Sequence, residues 1–462
     1  MKVWHGFPSG GKNKRGYAKN AVVVAMGILS VVLAVMGAAP AASNPQNAPT
    51  SMRLADAPEK IYSDNPNDSW NRIFYYLFSR WVTARMSADF PEAGPFERIS
   101  EIEFMHLEKS TGTFEREETG DRPIDPLYPS FLSDEGARFV LKDPVYGDFK
   151  KAIQDGLADT SAHEPVARAV MQNDLWSAYD IIFRCQTCER RRETKLPQRR
   201  LEALDLLGRL IRKMALTPEE IRALPDNYAI TRAKNPLPDL FANSGWVEVR
   251  WFPNRLQDEA VDYRRVTRVF LKPARQPRNM QKFLDDLRPE GQDQSARLDG
   301  VALLIQPLVI DTLGEVKPTT IASDMQIRMF EKNSQSAVDK TAFGIYEINR
   351  KLLRDARSGF LAGVSGDAPA YLPSGGNDYT FVSTIGLTRP EPLAVKQRTR
   401  CSFCHGEDLR VLLSFAMKMP TEERPGPPVR QLNPASHEAA DFVISQKTRS
   451  AGWKALQRNF VN

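Results

Sequence analysis

Apolar residues recur at helical spacing through the first part of the chain beyond residue 68. Trp70, Ile73, Phe74, Leu77, Phe78, Trp81 and Val82 fall on one helical face, and Asp68 or Ser69 can cap its start. A second helical stretch begins near Glu164, with Val166, Val170, Leu175, Ala178, Ile181 and Ile182 on its buried side. Residues 201–214 form another, with Leu201, Leu204, Leu207, Leu210 and Ile211 aligned. Thr217-Pro218-Glu219-Glu220 then supplies an N-cap, a proline whose missing N–H is harmless in a first turn, and acids suited to the helix dipole. Residues 92–129 are irregular and charged and read as loops.

The pattern changes after Asn235. Pro236 and Pro238 interrupt the chain, and residues 246–251 alternate apolar and polar as a half-buried strand does. Residues 301–310 are apolar and partly β-branched, while 325–329 and 343–348 alternate. A helix over 279–287 separates these strands, and a turn-rich stretch at 373–378 leads into a strand-like one at 379–387. Two further helices are predicted at 438–446 and 452–459. Together these elements predict an α+β fold: a mainly helical N-terminal region over 69–235, a strand-rich, β-containing middle over 236–400, and a short helical C-terminal segment over 401–462. Residues 42–68, rich in Asn, Pro, Ser and Asp, read as a linker.

The N-terminus changes how the composition is understood. Lys2, Lys12, Lys14, Arg15 and Lys19 precede an apolar run over 21–39, and Ala39-Pro40-Ala41 offers small residues where a signal peptidase reads them. A basic end, an apolar middle and a small-residue exit make residues 1–41 a secretory signal peptide. The run also approaches the ~20 residues that span a bilayer, so an uncleaved anchor is the alternative. Both readings place the remainder outside the cytoplasm, in the periplasm or beyond, with a membrane contact only if the segment is retained. The chain has 63 basic and 57 acidic residues; without the five in the leader, 58 basic stand against 57 acidic. The basic excess therefore belongs to the leader, and no nucleic-acid partner is expected.

Four cysteines form two pairs of equal spacing, Cys185/Cys188 and Cys401/Cys404. Cys401-Ser402-Phe403-Cys404-His405 is C-x-x-C-H, the pattern of covalent c-type haem attachment. Two thiols at this spacing reach the two vinyl groups of one haem, and the adjacent histidine becomes the proximal iron ligand. One haem c, anchored at Cys401 and Cys404 with iron on His405, is the cofactor the motif predicts. Met417 leads as the sixth ligand, with His437, His106 and His163 as other candidates.

Cys185-Gln186-Thr187-Cys188 has Glu189 where a histidine would follow, so it is no second haem site. It reads as a local structural disulfide, with thiol redox chemistry as the alternative given the neighbouring Arg190, Arg191 and Arg192. The basic cluster from Arg184 to Arg200 reads by default as a solvated helix face, and otherwise as a partner to haem propionates or an acidic protein. All four cysteines could instead hold zinc, which leaves His405 without a role. No H-E-x-x-H, G-x-S-x-G or phosphate-cradling glycine loop is present.

The stretches 173–180, 216–228, 301–311 and 325–328, together with the C-x-x-C-H at 401–405, resemble a group of exported bacterial proteins of unassigned function that often end in such a segment. The resemblance implies a haem-bearing, cytochrome-like protein and no particular substrate. The function expected is one-electron transfer outside the cytoplasm to a redox partner protein. Two alternatives stay open: an exported haem enzyme of peroxidase type, and a secreted binding protein whose cysteines hold zinc or disulfides.

Overall fold

The computed structural model describes residues 58, 60–80, 122–123, 134–185, 187–189, 195–235, 237–241, 244–250, 264–287, 297–331, 340–354, 360–364, 369–372, 393–396, 430–433 and 437–461. The helices are α1 (Ser69–Phe78), α2 (Asp134–Leu141), α3 (Val145–Ala158), α4 (Pro165–Arg184), α5 (Leu196–Lys213), α6 (Pro218–Arg222), α7 (Asn227–Arg232), α8 (Met280–Asp286), α9 (Arg350–Arg354), α10 (Glu438–Arg449) and α11 (Ala451–Val461). A two-residue ribbon joins β1 (Ser79–Arg80) to β2 (Arg122–Pro123), and a second ribbon joins β10 (Pro369–Leu372) to β11 (Leu393–Lys396). The main sheet comprises β3 (Val247–Arg250), β4 (Arg265–Pro273), β5 (Leu298–Ile310), β6 (Val316–Pro318), β7 (Asp324–Glu331), β8 (Lys340–Ile348), β9 (Leu361–Val364) and β12 (Arg430–Gln431). The order across it is β12-β3-β4-β5-β7-β8-β9, with β6 paired to β5 and every pairing antiparallel. The fold is α+β, as the periodicities predict. None of the described helices is long and apolar enough to cross a membrane.

Side-chain alternation gives the sheet two buried faces. Phe270, Ala302, Leu304 and Met325 pack with Tyr228 of α7, Leu240 and Trp246 on one side. Their chain neighbours Leu271 and Val301 point the other way, onto Leu284 of α8 and Leu287. β5 is long because it serves both layers. Its first half is the sheet centre, while Leu308 and Ile310 at its far end enter the core shared by α1 to α5, α10 and α11.

The helices follow their sequence signals with informative departures. α1 ends at Phe78, before Trp81 and Val82, and its five apolar positions from Trp70 to Phe78 are buried. The Trp70 N–H donates to Asp68 Oδ1 at 2.9 Å, so Asp68 supplies the start. α4 is buried on nearly every side from Ala169 to Ile182, not along one face, which makes it the central helix of the protein. In α5, Leu201 turns outward at 65 % exposure while Leu204, Leu207, Leu210 and Ile211 stay inside. The preceding residue, Arg200, reaches the end of α4, donating to the Ile182 carbonyl at 2.8 Å.

Thr217 caps α6 through a reciprocal pair: Glu220 N–H donates to Thr217 Oγ1 at 3.2 Å, and Thr217 N–H to Glu220 Oε2 at 2.8 Å. Thr217→Ala is expected to lower unfolding free energy by about 1 kcal/mol. Chemical denaturation would check this, and an unchanged midpoint would mean the cap carries no net stability.

The C-terminal residues 430–433 and 437–461 are built into this core. β12 pairs with β3 and forms the edge of the sheet, matching Arg430 to Arg250. Leu432, Ala439, Ala440, Val443, Trp453 and Leu456 join the helical core. The Arg212 guanidinium also donates to the Asn459 carbonyl at 2.8 Å, holding α11 against α5.

Candidate functional site

The central helix α4 carries an unusual load of buried polar groups: Gln172, Asn173, Asp174, Ser177 and Asp180. Burial of such groups costs free energy unless each finds a partner. The Gln172 amide donates to the carbonyls of Ile211 at 3.1 Å and Ile310 at 2.9 Å, and accepts the Ile310 N–H at 2.7 Å. The Asn173 amide donates to the carbonyls of Arg264 and Leu308 at 3.1 and 3.2 Å. These two side chains sew α4 to the far end of β5 and to the residue before β4 through backbone hydrogen bonds.

Two carboxylates of α4 meet cations delivered from distant parts of the chain. Asp174 takes a fork of bonds from Arg350, at 2.6 and 2.9 Å. It also accepts the Tyr62 hydroxyl proton, and Arg350 donates to the same Tyr62 oxygen at 2.8 Å. Burial pushes the Tyr62 phenol well above its usual range; Arg350 opposes the rise and Asp174 adds to it. The backbone on both sides of this contact is held by Asn71, which accepts from the N–H groups of Ile61 and Tyr62 and donates to the carbonyls of Ser63 and Asn65.

Six residues further along α4, Asp180 forms an ion pair with Lys447 of α10. Both are buried, and the ammonium lies 4.8 Å from the centre of the Trp176 ring, itself packed on Trp453. Burial holds the Lys447 ammonium below the ordinary lysine range, against the pull of Asp180. Arg264, wholly buried, adds a repulsive charge to the same neighbourhood. Both carboxylates of α4 are thus engaged by cations, and their evident work is to join α9, α10 and the segment before α1 to the central helix.

The residues singled out by the C-x-x-C-H motif, Cys401, Cys404 and His405, lie outside the described residues, as do Met417 and His106. His163 is engaged locally: its ring meets the edge of Trp70 at 5.6 Å and its Nε2 is 3.5 Å from an Asp159 oxygen. His437 stands exposed at the start of α10, where its carbonyl accepts the Asp441 N–H at 2.8 Å. Among the described residues, no group of three or more His, Cys, Asp or Glu side chains is placed to hold a metal ion.

Cys185 and Cys188 are joined as a disulfide, with both residues fully buried. Arg190, Arg191 and Arg192 lie outside the described residues, and the described arginines of the cluster, Arg184, Arg199 and Arg200, are only partly exposed. Arg184 donates to the Asp180 carbonyl at 3.1 Å, and Arg199 to the Leu141 carbonyl at 3.0 Å and to Asp143 at 2.7 Å. Arg200 donates to the Ile182 carbonyl at 2.8 Å, to the Phe183 carbonyl and to Glu189 at 2.9 Å. The donors of these three arginines reach carbonyls at or near helix ends.

No protein-family model, curated protein or solved structure matches the chain. Its functional reading therefore rests on its own residues.

Proposed function

We propose that this is an exported c-type haem protein that passes single electrons to and from a redox partner protein. Cys401 and Cys404 are the covalent anchors of one haem and His405 is the proximal iron ligand. The observation that carries this reading is the contiguous Cys401-Ser402-Phe403-Cys404-His405, which assigns a separate task to each of its three reactive side chains. Bound haem supplies a one-electron iron centre. The chain contributes two thioether links that prevent its loss and an imidazole that sets the iron's electronic state. A thioether from Met417 in the sixth position would favour ferrous iron and raise the potential.

Two features support the reading. The basic, apolar and small-residue leader directs the chain to the compartment where such attachment takes place. The Cys185–Cys188 disulfide suits an oxidising compartment, and sulfurs joined in this way are not the thiolates that a four-cysteine zinc site requires.

The test is a pyridine haemochrome spectrum after acid–acetone extraction, on full-length protein produced with cytochrome maturation machinery. A retained c-type band is expected, and its complete loss in Cys401→Ala/Cys404→Ala. Properly exported protein without retained haem would refute the proposal. A low-spin six-coordinate spectrum fits electron transfer, whereas a high-spin five-coordinate one would move the reading to an enzyme of peroxidase type.

A further inference from the structure

Two C-x-x-C pairs in one exported chain pose a chemical problem. Four thiols can pair wrongly, and any disulfide that captures Cys401 or Cys404 removes a thiol that haem attachment consumes. We propose that the fold gives the two pairs opposite fates: Cys185 and Cys188 are withdrawn from thiol chemistry as a core disulfide, leaving Cys401 and Cys404 as the reactive thiols of the folded, haem-free chain. The assignment of Cys401 and Cys404 rests on the proposed haem attachment; the withdrawal of Cys185 and Cys188 stands on geometry.

Both cysteines are 0 % exposed and belong to the same apolar cluster as Trp176, Leu141 and Leu207. Cys185 ends α4, and Cys188 lies in a single 3-10 turn, Thr187–Glu189, that packs on α2 and α5. The Cys188 N–H points back at Cys185 Sγ, 3.2 Å away. Arg200 clamps this junction from both sides, holding the last carbonyls of α4 with one part of its guanidinium and Glu189 with another. Thiol–disulfide exchange needs a thiolate to approach a sulfur, and here the sulfurs are reached only when the core opens. Of the described arginines nearby, Arg184 and Arg200 donate to backbone carbonyls near the end of α4.

The bond closes over a sequence separation of 3, so it needs little beyond the end of α4 to bring its partners together. The two thiols give two electrons and two protons to a disulfide oxidant, which leaves as a dithiol. Once the turn packs, neither sulfur is available to pair with Cys401 or Cys404.

The test uses full-length protein secreted into an oxidising compartment without haem-attachment machinery. It is treated with a small dithiol reductant and then iodoacetamide, and each cysteine peptide is quantified by mass spectrometry. Cys401 and Cys404 are expected to take up label, with Cys185 and Cys188 slower by roughly a hundredfold or more until denaturant is added. Similar labelling of all four, protection of all four, or peptides cross-linking the first pair to the second would overturn the proposal. The haemochrome spectrum separates the two claims. The expected labelling with no haem attached under maturation conditions leaves the shielding intact and defeats the proposed function. Attached haem with Cys185 and Cys188 freely labelled does the reverse.

Discussion

Asp180→Ala is expected to lower the unfolding free energy by about 3–5 kcal/mol, the largest loss of any single change considered. The mutation leaves the Lys447 ammonium in the core beneath Trp176, near Arg264, without the carboxylate that pairs with it. The lost attraction is one part of the cost, and a buried charge without compensation is the larger part. The double variant Asp180→Leu/Lys447→Met should recover much of the loss, because replacing both charges by apolar groups is often neutral.

The pH dependence has a definite sign. Burial depresses the Lys447 pKa in the folded state, so the folded protein sheds this proton before the unfolded chain does. Stability from this group therefore rises with pH between the depressed value and the ordinary lysine range. Without Asp180 the folded pKa falls further, so the deficit of Asp180→Ala should narrow as the solution is made alkaline. Denaturant unfolding of both proteins at a series of pH values would measure it. A deficit independent of pH would show that Lys447 is not the group left stranded.

Arg350→Ala is the second, with an expected loss of about 2–4 kcal/mol. Arg350 spans three parts of the molecule: it forks onto Asp174 of the central helix, donates to Tyr62, and covers the rings of Tyr62 and Phe74 at 5.7 and 5.2 Å. Its neighbour Arg354 donates to the Lys60 carbonyl at 2.7 Å, so α9 holds the segment before α1 at two points. Loss of Arg350 leaves a buried carboxylate facing a phenol that burial already keeps protonated. Tyr62→Phe, which removes one hydroxyl and keeps the ring, should cost about 1 kcal/mol. A double-mutant cycle between Asp174→Asn and Arg350→Ala gives the coupling directly. A coupling below about 0.5 kcal/mol would place the contact with ordinary surface pairs and sink the prediction.

The helices and strands readable in the sequence are those whose apolar positions repeat with one clean period. α4 and α5 are legible for that reason, β5 through its apolar, partly β-branched run, and the start of α6 through the capping chemistry of Thr217. α2 and α3 were not legible. Their apolar positions are separated by charged residues, and Gly147 and Gly156 weaken any helical reading of α3. A tertiary contact accompanies Gly156: a Cβ there would stand 2.8 Å from Ile73 Cδ1, so any larger residue would require the Ile73 side chain to shift where α1 packs on α3. β4 was missed because Arg265 and Arg268 interrupt its apolar run. In the fold, Arg268 grips buried Glu248 on the adjacent strand at 2.9 and 2.6 Å, and a position that should face water is turned inward.

What the sequence determined by itself is whatever depends on neighbours along the chain, helical and strand periods and caps, and on the same local ground rest the proposals of a leader and of haem attachment at Cys401 to His405. What only the tertiary structure decided is which polar groups could be buried. Asp174 and Arg350 are 176 residues apart, and Asp180 and Lys447 are 267 apart. No local pattern in α4 announces these partners. A buried charge is tolerable only when an opposite charge is delivered to it, and that delivery is a property of the assembled fold.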